Sequence, residues 1–334
     1  MLKDYLKLML FFGLMCTHSH FLYANQLNTQ DNYKAVNQAT TEEQTLSPLK
    51  WLQQMQKAQQ SQDYEMSFIH LDMNEIKSLR YSHFSLDKKN YAQLITLEGS
   101  PQEIIQVNDL IGYFQANYPA FSLQGSHVVD YLPSILWADL KQLSDNYDIV
   151  NIGFNRVADR LVQTFRVLPK DDFRYQYVVF IDTETHLLLR SDILDRKGNL
   201  LEQYLVVNLN LNKNFEAILP DFVGIKFPPL LKNSSPKNLT FHWKPMWLPK
   251  GFKLINQSEQ NSNDTKIETQ IYSDGLFSFS LHHSNKFIPN EHEKGWKQGM
   301  LTLYTMNKGN REFTFTGQLP ILSAKRILED IKVN

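Results

Sequence analysis

From Asp63 to Leu211 the sequence alternates apolar and polar residues in one short run after another, joined by links with room only for a reversal of direction. Tyr64, Met66 and Phe68 begin the series, and Leu79 and Tyr81, then Tyr91, Gln93, Ile95 and Leu97, continue it. Glu98-Gly99-Ser100-Pro101 marks a turn, after which 104–107 and 110–115 read as a hairpin. Runs at 149–154, 160–168, 173–182, 186–194 and 200–211 follow, the last after the turn Asp195-Arg196-Lys197-Gly198-Asn199. A period of two places successive side chains on opposite faces of a strand. Parallel neighbours need long crossovers, which these links do not supply. The expectation is an antiparallel meander.

Two segments are helical, one before the series and one interrupting it. Ser47-Pro48 reads as an N-cap with proline at the first helical position, and Leu49, Leu52, Met55 and Ala58 recur at helical spacing over 48–60. Pro133 opens a second helical stretch, Leu132 to Leu143, with Ile135, Leu136, Leu140 and Leu143 on one face. So many strands with so few helices predict a curved sheet wrapped around a helix, with a hollow where apolar ligands lodge.

Residues 213–240 carry Pro220, Gly224, Pro228, Pro229 and Pro236 among polar residues and read as an interdomain linker. Beyond it a smaller α+β unit is expected. Its hairpins are 266–272 with 276–283, turning at Ser273-Asp274-Gly275, and 300–306 with 311–317 around Asn307-Lys308-Gly309-Asn310. A helix from about Ser323 ends the chain, with Ile327, Leu328 and Ile331 on one face. The resulting division is a first domain over 47–212, the linker, and a second domain over 241–334.

At the other terminus, Lys3 and Lys7 precede an apolar run from Leu8 to Met15, and Ala24 stands before a polar segment. This is the pattern of a secretory signal over 1–24, too short to span a bilayer. Residues 25–46, rich in Asn, Gln and Thr, read as a disordered leader. Cys16, the one cysteine, directly follows the apolar run, and Met15 before it fits a lipoprotein signal poorly. Cleavage at Ala24 leaves no thiol for disulfides or metal sites.

Charge excludes one class of partner. With 34 basic and 35 acidic residues the chain has no field for a phosphate backbone, and nucleic-acid binding is not expected. No nucleophile elbow, phosphate-binding glycine loop or His-Glu-x-x-His is present, so no catalytic residue and no cofactor are assigned. Asp182, Glu184, Asp192 and Asp195 sit at strand ends and turns, where solvated carboxylates belong. His282 and His283 point to opposite faces of a strand, which argues against one metal shared with His292.

The aromatics say more. Tyr113, Phe114, Tyr118, Phe121 and Trp137 are candidates to face the hollow and touch lipid. Trp243, Pro245, Trp247, Pro249 and Phe252 crowd the start of the second domain, and with Tyr272 and Phe277 are candidates for a rigid face that meets a peptide or a neighbouring domain. For each the alternative is ordinary core filling.

Several stretches carry a family resemblance: Trp51-Leu52-Gln53-Gln54-Met55, Asp63-Tyr64-Glu65-Met66, Asp130-Tyr131-Leu132-Pro133-Ser134, Tyr175-Gln176-Tyr177-Val178-Val179, Trp243-Lys244-Pro245-Met246-Trp247, and Tyr272-Ser273-Asp274-Gly275-Leu276-Phe277. In order and spacing they resemble the RseB/MucB family over nearly all of 47–332. The resemblance implies a periplasmic negative regulator of an envelope stress response. Its large domain is then an open β-barrel with helices in its mouth, similar to periplasmic lipoprotein carriers, and senses lipid or lipopolysaccharide. Its smaller domain supplies most of the contact with the periplasmic segment of an RseA/MucA-type anti-sigma factor, which it shields from proteolysis. Regions 84–129, 256–268 and 284–299 match only loosely. A lipid or lipoprotein carrier without a regulatory partner is the alternative, and homo-oligomerisation stays open.

Overall fold

The long meander forms a single sheet, with its first and last strands paired in the middle. The computed structural model describes residues 46–73, 75–231, 239–262, 265–284 and 293–333. The expected signal, the leader up to 45, Cys16, Pro236 and His292 lie outside the described residues. Helix α1 (Pro48–Ser61) starts where Ser47 Oγ accepts the Lys50 amide, and it buries Trp51, Leu52, Met55, Ala58 and Gln59.

The strands are β1 (Tyr64–Asp72), β2 (Ile76–Leu86), β3 (Lys89–Thr96), β4 (Gln102–Val107), β5 (Leu110–Gln115), β6 (Tyr118–Gln124), β7 (Tyr147–Val157), β8 (Arg160–Pro169), β9 (Gln176–Asp182), β10 (Leu188–Leu194) and β11 (Leu200–Asn210). They lie in the order β6-β5-β4-β3-β2-β1-β11-β10-β9-β8-β7, and neighbours are antiparallel. Edges β6 and β7 are not paired with each other, so the sheet is open.

The pairing register fixes which side chains face inward. Met66, Tyr81, Leu94, Ile104, Tyr113 and Phe121 form one cross-strand row on the face toward α1. The single helix expected over 132–143 is instead two pieces: a 3-10 turn at Ser134–Leu136, and α2 (Leu140–Asn146). The break comes at Asp139, whose carboxylate accepts the Lys141 and Gln142 amides and so caps a new helix. Gln56 of α1 holds the 3-10 turn in place by donating to the Ile135 and Ala138 carbonyls.

The linker expectation needs correction over its first part. Residues 213–231 are a strap packed on the outer face of the first sheet. Phe215 and Phe222, the latter on the short α3 (Leu219–Val223), pack on Phe84 at ring distances of 4.8 and 5.2 Å. Tyr91 and Ile105 complete this cluster, with Phe114 against its flank. The strap then runs beside edge strand β6: the Ser122 amide donates to the Pro229 carbonyl and the Leu231 amide to the Ser122 carbonyl. Proline suits such a position, having no amide to satisfy.

The second sheet has the order β13-β14-β15-β18-β17-β16, built from β13 (Lys253–Ser262), β14 (Thr265–Ser273), β15 (Ser278–Ser284), β16 (Glu293–Gln298), β17 (Leu301–Lys308) and β18 (Arg311–Gly317). Helix α4 (Ile321–Glu329) covers one face and buries Ala324, Ile327 and Leu328. A separate ribbon pairs β12 (Trp243–Pro245) with β19 (Ile331–Val333), bringing the two ends of this region together. Both sheets belong to one compact unit that begins at Ser47.

Candidate functional site

Between α1 and the inner face of the β1–β6 half lies a cavity of about 590 Å3. Gln59 lines it from the helix, Tyr81, His83 and Gln106 from the sheet, and His127 and Trp137 from the crossing segment between β6 and β7. The His127 and Trp137 rings stack at 3.8 Å and form an aromatic wall. Side chains around it are mainly amide, imidazole and hydroxyl, with Lys88 at the rim. The hollow is where the sequence placed it, but its lining is more polar than the apolar trough expected.

The five residues proposed for lipid do not share a surface. Tyr113 and Phe121 stack at 4.7 Å on the inner face, and Tyr113 donates to Asp130 Oδ2 at 2.9 Å. Trp137 lines the cavity. Phe114, the next residue on β5, necessarily points the other way and packs under the strap. Tyr118 is 70% exposed and belongs to a separate depression of about 470 Å3 beside Thr96 and Pro101.

The aromatics expected on a free face of the second domain are mostly buried within the molecule. Trp243, Phe252, Tyr272 and Phe277 are all enclosed. Phe252 and Tyr272 pack on Phe279 at 5.2 and 5.3 Å, and Trp243 packs edge-on to Phe313. A small sheet has little other apolar volume with which to close its core, so its largest rings go inward. Trp247 is half-buried, edge-on to Phe173 at 4.7 Å and covered by the Arg326 guanidinium at 3.9 Å. Phe173 comes from the loop before β9, so Trp247 marks a seam between the two sheets.

That seam centres on the β14–β15 turn. Asp274 Oδ1 accepts the Leu276 and Phe277 amides at 3.0 and 2.9 Å, closing the turn on itself. Its Oδ2 accepts Tyr147 Oη at 2.5 Å and Arg174 Nη1 at 2.9 Å, both from the first-sheet side. Arg174 is fully buried, lies over the Tyr147 ring at 4.7 Å, and is also held by Asp171 at 2.6 Å. Phe277 packs on Tyr175 and Tyr177. Gln142 donates to the Gly251 carbonyl, and Ser323 Oγ to the Phe173 carbonyl, along the same seam.

The acidic candidates are structural. Asp182 is buried and takes both a bidentate bond from Arg160 and the Thr185 hydroxyl. Asp192 pairs with Arg190, and Asp195 closes its own turn through the Lys197 and Asn199 amides. His282 and His283 face opposite sides: His282 bonds the Thr269 and Ser280 hydroxyls, whereas His283 sits 3.4 Å from Glu268.

Burial lowers the pKa of His83, His127, His186, His282 and His283, with nearby carbonyl or carboxylate groups offsetting part of the effect at His83, His186 and His283. A folded state that resists protonation keeps this stability above the unfolded imidazole value of about 6.5. It loses it as the pH falls from there through the lower folded values. The melting temperature is therefore expected to fall between pH 7.5 and 5.5, and an unchanged melt across that range would contradict it.

A sequence profile of the MucB/RseB N-terminal domain matches residues 47–229, and one of the MucB/RseB C-terminal domain matches 237–332. The chain belongs to the MucB/RseB family. The sigma-E factor regulatory protein RseB of Haemophilus influenzae is 44% identical over 288 residues, 86% of this chain and 91% of the relative. RseB of Escherichia coli K12 is 40% identical over 284 residues, 84% of this chain and 89% of that protein. In fold, the MucB/RseB chain is similar to a structure of the Pseudomonas aeruginosa MucA/MucB complex, with a TM-score of 0.67 at 21% identity over 86% of this chain and 99% of that one. A crystal structure of MucB matches at a TM-score of 0.53 and 21% identity, over 85% of this chain and 97% of that one. MucB/RseB proteins are thus regulators by name and match, and neither domain profile is that of an enzyme.

Reading the sequence of this MucB/RseB member missed Tyr147, Arg174 and Asp274. A signal was there: Asp274-Gly275 reads as a solvent turn, yet Leu276 and Phe277 follow it directly. On a strand beginning at 276, alternation would leave one of these two adjacent apolar side chains facing solvent unless a neighbour buries it.

Proposed function

We propose that this chain is a periplasmic regulator that holds the periplasmic segment of a membrane-spanning anti-sigma factor, shields it from proteolysis, and releases it on sensing lipid or lipopolysaccharide. The observation that carries this reading is the match to both family domains, in order, together with relatives named as sigma-E factor regulatory proteins. The likeness to a MucB chain solved with MucA supports the choice of partner class. The cavity supports the sensing half: an aromatic wall with amide and imidazole groups suits the polar end of an amphiphile.

The test is capture of a peptide spanning the periplasmic segment of the cognate anti-sigma factor, with and without lipopolysaccharide. Binding that weakens as lipopolysaccharide is added is the expected result. Equal binding in both conditions overturns the sensing half. No binding of the peptide, with acylated cargo co-purifying, favours the carrier reading, which the same cavity supports.

A further inference from the structure

We infer that the β14–β15 turn is a latch whose seating opposes the filling of the cavity. This rests on the lipid-sensing reading above, and it names the residues through which that sensing reaches the second sheet.

The path is short. Ser134, first residue of the 3-10 turn, donates from Oγ to the Leu276 carbonyl at 2.8 Å. A hydroxyl has one proton, so the 2.9 Å contact with Tyr177 is the Tyr177 hydroxyl donating back to Ser134 Oγ. The same turn binds the Trp137 amide to the Ser134 carbonyl at 3.0 Å, and Trp137 is the cavity's aromatic wall. Two residues thus separate a side chain touching the latch from a ring touching the cavity. Gln56 of α1 ties Ile135 and Ala138 together, so Ser134 and Trp137 flank one small piece and shift together.

The latch is itself made to be in or out. Asp274 uses both oxygens, one on its own turn and one on Tyr147 and Arg174. Withdrawal exposes Leu276 and Phe277 at once, whereas a partial shift strands a buried carboxylate. An amphiphile that displaces Trp137 moves the 3-10 turn and removes the Ser134 bond to Leu276. By linkage, loosening the latch must then strengthen amphiphile binding by the same factor.

Hydrogen exchange by mass spectrometry on the full chain, with and without lipopolysaccharide micelles, tests this. Micelles are expected to accelerate exchange of the Leu276 and Phe277 amides. Ser134→Ala is expected to bind micelles about three- to tenfold more tightly, the worth of one hydrogen bond, and Asp274→Asn at least as much, since it removes the charge that faces buried Arg174. Micelle binding with unchanged exchange at 276–277, or with variants of parental affinity, overturns the latch while leaving lipid sensing intact. Variants that merely melt earlier with parental affinity make the turn structural only. Absence of any micelle binding overturns both readings together.

Discussion

Replacing Arg174 with methionine is expected to destabilise the protein by about 3–5 kcal/mol, the range for removing one partner of a buried ion pair. Asp274 would keep its enclosure and the Tyr147 hydroxyl, but lose its counter-ion. Asp171 retains some solvent access, so most of the penalty falls at Asp274. Adding Asp274→Asn to Arg174→Met should recover a large part of the loss. The amide oxygen still accepts the Leu276 and Phe277 amides, and no stranded charge remains. A double-mutant cycle by urea denaturation measures this directly. If Arg174→Met proved as stable as the parent, the ion pair would contribute nothing net to the seam.

The same cycle separates two ways of joining the sheets. Along the seam, Trp247 under Arg326 is half-exposed, and Gln142 bonds a backbone carbonyl at a part-buried position. Such contacts tolerate rearrangement. The Asp274 cluster tolerates no partial shift, because its buried polar atoms have no water to fall back on.

How much of this was legible beforehand follows from the range of each interaction. Alternation along 63–211 was enough to expect an antiparallel meander, since period and link length are local properties. Ser47 and Pro48 announced α1 for the same reason. The strap was hidden: its prolines and glycine are what a linker contains, and only the three-dimensional fit of Phe215 and Phe222 to Phe84 distinguishes it. Phe114 shows the corresponding limit for sites. An aromatic cluster read along the chain ignores that neighbours on a strand belong to opposite faces, so Tyr113 and Phe114 cannot serve one ligand. The buried rings of the second domain mark a further limit. Trp243 and Phe252 beside proline look alike in sequence whether they face a partner or a core, and the small volume to be filled decided for the core.

Trp243 carries the second large effect. It is almost fully enclosed at the start of β12, where it pairs with Val333 of β19, and its indole Nε1 donates to Glu268 Oε2 at 2.6 Å. Burial alone would raise the Glu268 carboxyl, but Lys266 and the indole N–H bring it below the ordinary carboxylate value. Trp243→Ala removes the ring and the donor together and is expected to cost about 3–5 kcal/mol or more. Trp243→Phe keeps most of the packing against Phe313 and is expected to cost about 1.5–3 kcal/mol, the worth of a hydrogen bond to a charged group. The two losses should respond differently to acid. A depressed carboxyl contributes stability above its unfolded value of about 4.3 and loses it as the pH falls through the folded one. The gap between the parent and Trp243→Phe should therefore narrow below about pH 4.3, while the packing share of the Trp243→Ala loss persists. Urea denaturation of both variants from neutral pH downward reads this, and a Trp243→Phe gap that held constant with pH would mean that the indole bond to Glu268 contributes nothing.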